Sequence, residues 1–167
     1  LSSGRNGVVV AHSDITARKL SEQAVRDSEA RYRGLVEQSL AGIYIIQGDY
    51  FRYVNPGFAA IFGYPTADDL IDRIPLCDLV CPEDRAMVTE HIRRRLDGEI
   101  EDIHYTFQGL RRDGSAIDVE VHGRAFEYQG MPAVIGLILD ISARKAAEDQ
   151  LRASELRFHD IVNASAD

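Results

Sequence analysis

The sequence repeats itself at an interval of 126 residues. Residues 14–19 (DITARK) align with residues 140–145 (DISARK), and 14 of the 38 aligned positions from 4 to 41 are identical. Self-similarity at a fixed interval marks an array of like units. A chain of 167 residues cannot hold two such units. We therefore expect residues 1–16 to end one unit and residues 143–167 to form a linker helix and start the next, with one whole unit between them.

Composition fits a folded protein and argues against two classes of partner. The chain is 45% hydrophobic and 28% charged, which is ordinary for a globular domain. The net charge of −8 disfavours nucleic acid, whose binding surfaces are basic. No run of 18 apolar residues occurs, so we expect neither a membrane span nor direct membrane contact. The only two cysteines, Cys77 and Cys81, are expected to be reduced thiols in a cytoplasmic protein.

The flanking segments are predicted to be a strand and two helices. The apolar run in residues 4–13 predicts a closing strand of the preceding unit, and residues 17–38 and 142–160 have helical patterns. A short apolar seam suits the pairing of two helices, and so predicts a homodimer. A helix that folds back on its own domain is the alternative, and both can hold. The seam residues are Val25, Ser28, Tyr32 and Leu35, with counterparts Leu151, Ser154, Phe158 and Ile161.

The middle of the chain predicts an α+β domain. Residues 42–47 and 50–55 form a hairpin around Gly48-Asp49, and Asn55-Pro56 ends its second strand. Short helices follow, and residues 82–98 form a longer helix with acidic residues first and Arg93, Arg94 and Arg95 last, as the helix dipole favours. Residues 103–139 contain three strands, the last apolar on both faces and covered by residues 17–38 or by a partner's copy of them. The result is a five-stranded antiparallel sheet with helices on one face.

Several motifs in this order resemble the PAS (sensory box) family. The chain has NPGF at 55–58 with FGY at 62–64, LVCPEDR at 79–85, RRDGS at 111–115 and GLILDIS at 136–142. The resemblance covers residues 32–142 without a gap. It implies a PAS fold and an input or relay domain of a bacterial histidine kinase, diguanylate cyclase or phosphodiesterase, whose neighbouring PAS and output domains lie elsewhere in the polypeptide.

Catalytic motifs are not found in the sequence. It has no phosphate-binding loop, no nucleophile elbow and no zinc-binding HExxH helix. His159 lacks the surroundings of a kinase phosphoacceptor and is interpreted as a surface or packing histidine. We expect the segment itself not to be an enzyme.

No cofactor or metal is predicted. The family's reactive-cysteine motif for flavin has no match. His91 lies on the long helix, as the haem ligand does in haem-binding members, but nearer its end and beside charged residues. It is therefore interpreted as a solvated or capping histidine. Cys77 and Cys81 lack further ligands at a suitable spacing and are interpreted as small packing residues.

Two functions remain open from the sequence. One is dimerisation and signal relay, in which strain in the sheet passes through Asp140-Ile141-Ser142 into the exit helix and enters likewise through Asp14-Ile15-Thr16. Asp140 can cap that helix or pair with a basic residue, and Ser142 is a competent N-cap. The other is a small-molecule sensor with a ligand in the PAS cavity. Its candidate inward polar groups are Tyr53, His104, Tyr105 and His122.

Overall fold

The first of two units in the chain is a single helix. The computed structural model describes residues 5–37 and 40–165, and helix α1 spans Arg5–Glu37. The helix predicted at 17–38 is confirmed over the residues described. The strand predicted within residues 4–13 is wrong, since α1 begins at Arg5. A strand needs neighbours as hydrogen-bond partners, whereas a helix such as α1 satisfies its backbone within itself.

The second unit, from residue 39 onward, is the predicted α+β domain. Its five strands form one sheet in the order β2-β1-β5-β4-β3, with every pair antiparallel. This confirms the fold class. The elements are β1 Gly42–Gln47, β2 Tyr50–Val54, α2 Pro56–Ile61, short 3₁₀ turns at Ala67–Asp69 and Leu76–Leu79, α3 Arg85–Leu96, β3 Asp102–Leu110, β4 Ala116–Tyr128, β5 Met131–Asp140 and α4 Ser142–Ala164.

Asn55 explains why the second strand turns into a helix where it does. Its side chain is fully buried, and Oδ1 accepts hydrogen bonds from the backbone N–H of Ile43 (2.7 Å) and of Phe58 (2.9 Å). The second bond caps α2, and Pro56 suits the first helical position because its missing N–H would have no partner there. Asn55 thus ties the start of α2 to β1, as the NPGF motif predicts.

The core lies between one face of the sheet and helices α2 and α3. Phe51, Phe58 and Phe62 pack ring against ring, with centroids 4.9–5.0 Å apart along the series. Alternate residues of β4, such as Val119 and Val121, close the core from the sheet side. The opposite, outer face of β5 carries Ile135, which is exposed, and Leu137 and Leu139, which are half-buried. Its predicted cover by residues 17–38 or a partner stays a prediction.

Candidate functional site

The core encloses a small apolar cavity. It offers about 20 Å³ to the centre of a water molecule, which is enough for roughly one water. Of the four polar candidates from the sequence, Tyr105 lines this cavity, together with Tyr44 and buried aliphatic and aromatic residues. Tyr53, His104 and His122 do not line it, and the prediction that they point inward is wrong. They occupy positions whose side chains alternate to the other face of the sheet.

Arg95 is the most unusual residue beside this cavity. Its side chain is 1% exposed, and Nε donates to the backbone carbonyl of His91 at 2.9 Å. The guanidinium lies 5.8 Å from the ring centre of Tyr105. Burial raises the pKa of the Tyr44 hydroxyl far above its usual range, and the positive charge of Arg95 opposes this rise. Among the described residues, neither terminal nitrogen of Arg95 meets strict hydrogen-bond geometry, although the hydroxyls of Tyr44 and Tyr105 lie close enough for the guanidinium to hold down the pKa of each.

Two glycines make room for this arginine and for Tyr44. Gly123 and Gly136 are opposite each other on β4 and β5. A Cβ on Gly123 would lie 1.9 Å from Arg95 Nη1, and one on Gly136 would lie 2.2 Å from Tyr44 Cζ. Bare backbone is therefore required at both positions.

The cluster of Arg95 with Tyr44 and Tyr105 (the Arg95 cluster) was not predicted from the sequence, although the spacing of residues on α3 indicates that Arg95 is buried. Arg93, Arg94 and Arg95 were interpreted together as a charged helix end. Arg95, however, falls seven residues after Val88 and three after Ile92, on the buried face of α3, because residues at these spacings share one face of a helix. The other two arginines are exposed or half-buried and pair with acidic residues such as Glu99.

His91 is not the solvated histidine that the sequence predicted. It is half-buried, its ring centre lies 4.6 Å from that of Tyr105, and Nδ1 is buried with no hydrogen-bond partner among the described residues. Burial, with the nearby charges of Arg95 and Arg94, lowers its pKa below the ordinary value. It lies one turn before Arg95 and extends the same polar cluster.

The two cysteines have different surroundings. Both are free thiols, and Cys81 is buried with its Sγ 3.6 Å from the carbonyl oxygen of Gly109, as a packing residue should be. Cys77 is exposed, so its predicted packing role is wrong. His159 is exposed on α4 and contacts Asn163.

The strand-to-helix junction at Asp140-Ile141-Ser142 is held by several polar contacts. Asp140 Oδ1 accepts from the backbone N–H of Ser142 at 2.9 Å, and Oδ2 lies 3.0 Å from Arg111 Nη2. Asp140 therefore does both things expected of it: it satisfies a free N–H at the start of α4 and it pairs with an arginine. Ser142, however, is not the N-cap. That position belongs to Ile141.

Ser142 instead links α4 to strand β4. Its Oγ accepts from the backbone N–H of Asp118 at 3.0 Å. The carbonyl of Asp118 accepts from Ile141 N–H at 2.9 Å, and its carboxylate pairs with Lys145 Nζ at 2.9 Å. The first turn of α4 is thus anchored to the sheet at both backbone and side-chain level.

The upstream triplet Asp14-Ile15-Thr16 does not form a matching junction. All three residues lie inside α1 and are exposed. The prediction of a strand-to-helix boundary there is wrong in this structure, because residues 5–13 are helical and α1 continues through the triplet.

Three of the polar side chains on the outer face of the sheet form a cluster of their own. His104 and His122 are opposite each other on β3 and β4, with rings stacked at 4.1 Å. Glu120 Oε1 lies 2.6 Å from His104 Nε2 and 3.9 Å from His122 Nε2. The hydrogen bond from His104 is the main reason that the pKa of Glu120 is lowered. Glu120 Oε2 in turn lies 3.4 Å from Arg144 of α4.

The seam predicted for dimerisation is exposed on α1. Val25, Tyr32 and Leu35 are 54%, 72% and 68% exposed, and Ser28 is exposed as well. The corresponding seam of α4 is equally open, with Phe158 70% exposed. Exposed apolar stripes of this kind suit a partner helix.

Comparison with known proteins decides the family. A family model described as the PAS fold matches residues 51–138. The chain belongs to this family. The matched part of the PAS domain runs from β2 to β5 and so includes α3 with Arg95 and most of the residues that line the cavity, whereas Tyr44 on β1 lies just before it. The boundaries predicted for the repeat units stay predictions.

Relatives of this PAS domain include sensor kinases. The chain is 28% identical over 147 residues to sporulation kinase A of Bacillus subtilis (strain 168), and the match covers 85% of this chain but only 23% of that protein. Among solved structures, the PAS domain of an HTR-like protein from Haloarcula marismortui is 28% identical, with a TM-score of 0.58, over 74% of this chain and 99% of that one. A sensory box histidine kinase/response regulator from Burkholderia thailandensis E264 is 26% identical, with a TM-score of 0.57, over 77% and 98%.

The family and these relatives together support a sensory signalling role. Within residues 5–37 and 40–165, the helices are all too short or too polar to cross a bilayer.

Proposed function

We propose that this PAS domain is a signal-relay and dimerisation module of a bacterial sensory protein, and that conformational change leaves its sheet through Asp140-Ile141-Ser142 into α4. The observation that carries the proposal is the double contact of Asp140. One carboxylate oxygen holds the first N–H of α4 and the other holds Arg111 in the turn between β3 and β4. A shift of that turn therefore acts directly on the start of the exit helix.

The contacts of α4 with β4 support the same route. Lys145 and Arg144 pair with Asp118 and Glu120 on the outer face of the sheet. These pairs are partly exposed and individually weak, so the first turn of α4 can be released at a small cost in free energy. A helix that continues rigidly from such a joint transmits rotation where a flexible linker would not.

The proposed parent protein is a histidine kinase or a cyclic-di-GMP enzyme in the cytoplasm, and the segment itself relays a signal rather than catalysing a reaction. The kinase relative supports the first alternative for the parent. The proposed dimer pairs α1 with its copy in a second chain, which would cover Val25, Tyr32 and Leu35. No haem or flavin forms part of the proposal.

Hydrogen exchange tests the relay in the chain itself. Asp140→Ala is expected to speed amide exchange both in the first turn of α4 and in residues 111–115, because Asp140 holds the two together. Glu155→Ala, which removes an exposed carboxylate from the middle of α4, is the matched control and should change neither segment. Faster exchange in α4 alone would mean that Asp140 is a simple cap.

A second candidate function is the sensing of a small anion at Arg95. A buried guanidinium with unpaired nitrogens is costly, and a carboxylate would satisfy it through two parallel hydrogen bonds. The buried Nδ1 of His91 adds a second unpaired polar atom to the cluster. The neighbouring cavity has room for about one water and is lined by Tyr44 and Tyr105 rather than by Arg95 itself, so even the smallest carboxylate, formate, requires the side chains around the guanidinium to shift.

Thermal unfolding with added formate separates the two candidates. Saturable stabilisation of the wild-type chain, lost in Arg95→Met and in the charge-conserving Arg95→Lys, which lacks the planar fork, but kept in Arg94→Met, supports the sensor. Equal stabilisation in all four proteins would assign the effect to the salt and contradict an Arg95 site.

A further inference from the structure

The outer face of the sheet carries a set of side chains with the chemistry of a transition-metal site. We propose that His104, Glu120 and His122 bind one divalent ion of the zinc type. One ligand atom from each residue lies within 4.8 Å of the other two. Two imidazoles and one carboxylate are a common protein donor set for Zn²⁺ with an open fourth position.

The strands place these donors in a fixed relation. His104 and His122 are paired across β3 and β4, and Glu120 precedes His122 by two residues, so that all three project from the same face. Both Nε2 atoms approach the same oxygen, Glu120 Oε1, at 2.6 and 3.9 Å. Ligands bonded to zinc at about 2.0–2.2 Å lie roughly 3.4 Å apart in a tetrahedron. Small side-chain rotations therefore bring the three atoms to bonding positions.

A surface ion pair explains only part of this arrangement. The hydrogen bond between His104 and Glu120 accounts for the shorter contact but does not involve His122, whose ring stacks on that of His104 at 4.1 Å with 11° between the planes. A metal ion gives both rings the same partner. Because a bound ion lies in the plane of each imidazole that holds it, one of the two rings must tilt out of this stack when the ion binds.

The donor set and its exposure define the class of ion. Imidazole suits zinc, copper, nickel and iron, whereas calcium and magnesium take oxygen ligands. The side chains of His104 and His122 are 55% and 50% exposed, so the ion can enter from solvent and a water can fill the remaining position. Spacing along the chain does not reveal this site, because His104 lies on β3 whereas Glu120 and His122 lie on β4.

Glu120 also connects this cluster to the exit helix. While Oε1 faces the histidines, Oε2 lies 3.4 Å from Arg144 of α4. A dication on Oε1 would draw off the carboxylate charge and repel the guanidinium, so the Arg144 contact weakens when metal binds. An effect of the metal on signalling through α4 rests on the proposed relay, whereas the metal site itself does not depend on that relay.

Calorimetric titration of the chelator-treated chain with Zn²⁺ tests the site. We expect one ion per chain, with binding at least about tenfold weaker in His104→Gln, His122→Gln or Glu120→Gln and no binding in the double histidine variant, because three ligands are few and each is needed. His159→Gln, an exposed histidine of α4 outside the cluster, is the matched control and should bind like the wild type. Co²⁺ bound to the wild-type chain should show visible absorption bands that the double variant lacks.

Three results would overturn the site: no saturable uptake by the wild-type chain, one-to-one uptake that survives in the double variant, or one-to-one uptake that disappears in Cys77→Ser instead. Hydrogen exchange of the metal-loaded chain then separates the site from its consequence. Faster exchange in the first turns of α4 supports the link through Arg144. Unchanged exchange with metal bound would leave the site standing and contradict that link.

Discussion

Arg111 Nη2 lies 3.0 Å from Asp140 Oδ2 and joins the turn between β3 and β4 to the end of the last strand. The same arginine donates through Nε to the backbone carbonyl of Ile61 at 3.0 Å. One side chain thus links the end of α2, an edge hairpin and the start of the exit helix. The carboxylate of Asp140 completes this link through its bond to Ser142 N–H.

Replacing Asp140 should lower stability only slightly. Asp140→Ala removes a contact to a helix N-terminus and a partly exposed ion pair, and we expect the free energy of unfolding to fall by about 0.5–2 kcal/mol. Urea unfolding followed by circular dichroism measures this change, with Glu155→Ala expected to stay within about 0.5 kcal/mol of the wild type. A loss well above this range would place Asp140 among the core determinants of the fold.

The proposed dimer should depend on α1. Deletion of residues 1–24 is expected to weaken association sharply, and Tyr32→Lys should do the same by placing a charge in the seam. Arg33→Ala changes the next residue of α1 and is the control. Sedimentation of the Tyr32→Lys chain as the same associated species as the wild type would show that the seam is not the interface.

The glycine beneath Tyr44 should not tolerate a side chain. An added Cβ at Gly136 would meet the Tyr44 ring at 2.2 Å, and overpacking of this kind costs about 1–3 kcal/mol or more. Gly34→Ala is the opposite case, because that helical position has nothing within 4 Å of the new atom and alanine favours helices by about 1 kcal/mol over glycine. Thermal unfolding should show the first variant destabilised and the second unchanged or more stable. A Gly136→Ala protein as stable as the wild type would contradict the packing of Tyr44 described here.

His91 should contribute to acid sensitivity. Its pKa is lowered in the folded chain by burial, then by Arg95, so the unfolded chain, with a histidine pKa of about 6.5, takes up the proton first. Stability from this residue is complete above about pH 6.5 and is lost as the pH falls below it. His91→Gln should therefore lose less unfolding free energy than the wild type between about pH 7.5 and 5.5, while His159→Gln follows the wild type. Equal losses in His91→Gln and the wild type would assign the acid sensitivity to other groups.

Local patterns were sufficient to predict most of the fold. The alternation of Ile117, Val119 and Val121, the Gly48-Asp49 turn and the NPGF motif each act over a few residues, and each produced the predicted element. The prediction of a strand within residues 4–13 failed, because the apolar run suits a strand but the described part of it is helical in α1. Strand formation depends on distant partners, whereas a helix satisfies its own backbone.

The candidate site was harder to predict because it depends on the relation between elements. Arg95 is brought against Gly123 only when α3 packs on the sheet. His104, Glu120 and His122 come together only through the register of β3 with β4. Among the four candidates Tyr105 alone lines the cavity. Alternation along a strand shows which residues share a face, but only packing decides which of the two faces is turned toward the core.

The output of the full-length protein tests the relay most directly. It should be compared between the wild type, Asp140→Ala and Glu155→Ala over conditions in which the wild type changes its activity, with each protein shown to be folded. We predict that the Asp140→Ala protein keeps one output level under all conditions, while the Glu155→Ala protein responds like the wild type. Normal regulation in a folded Asp140→Ala protein would contradict the relay and leave Asp140 as a helix cap.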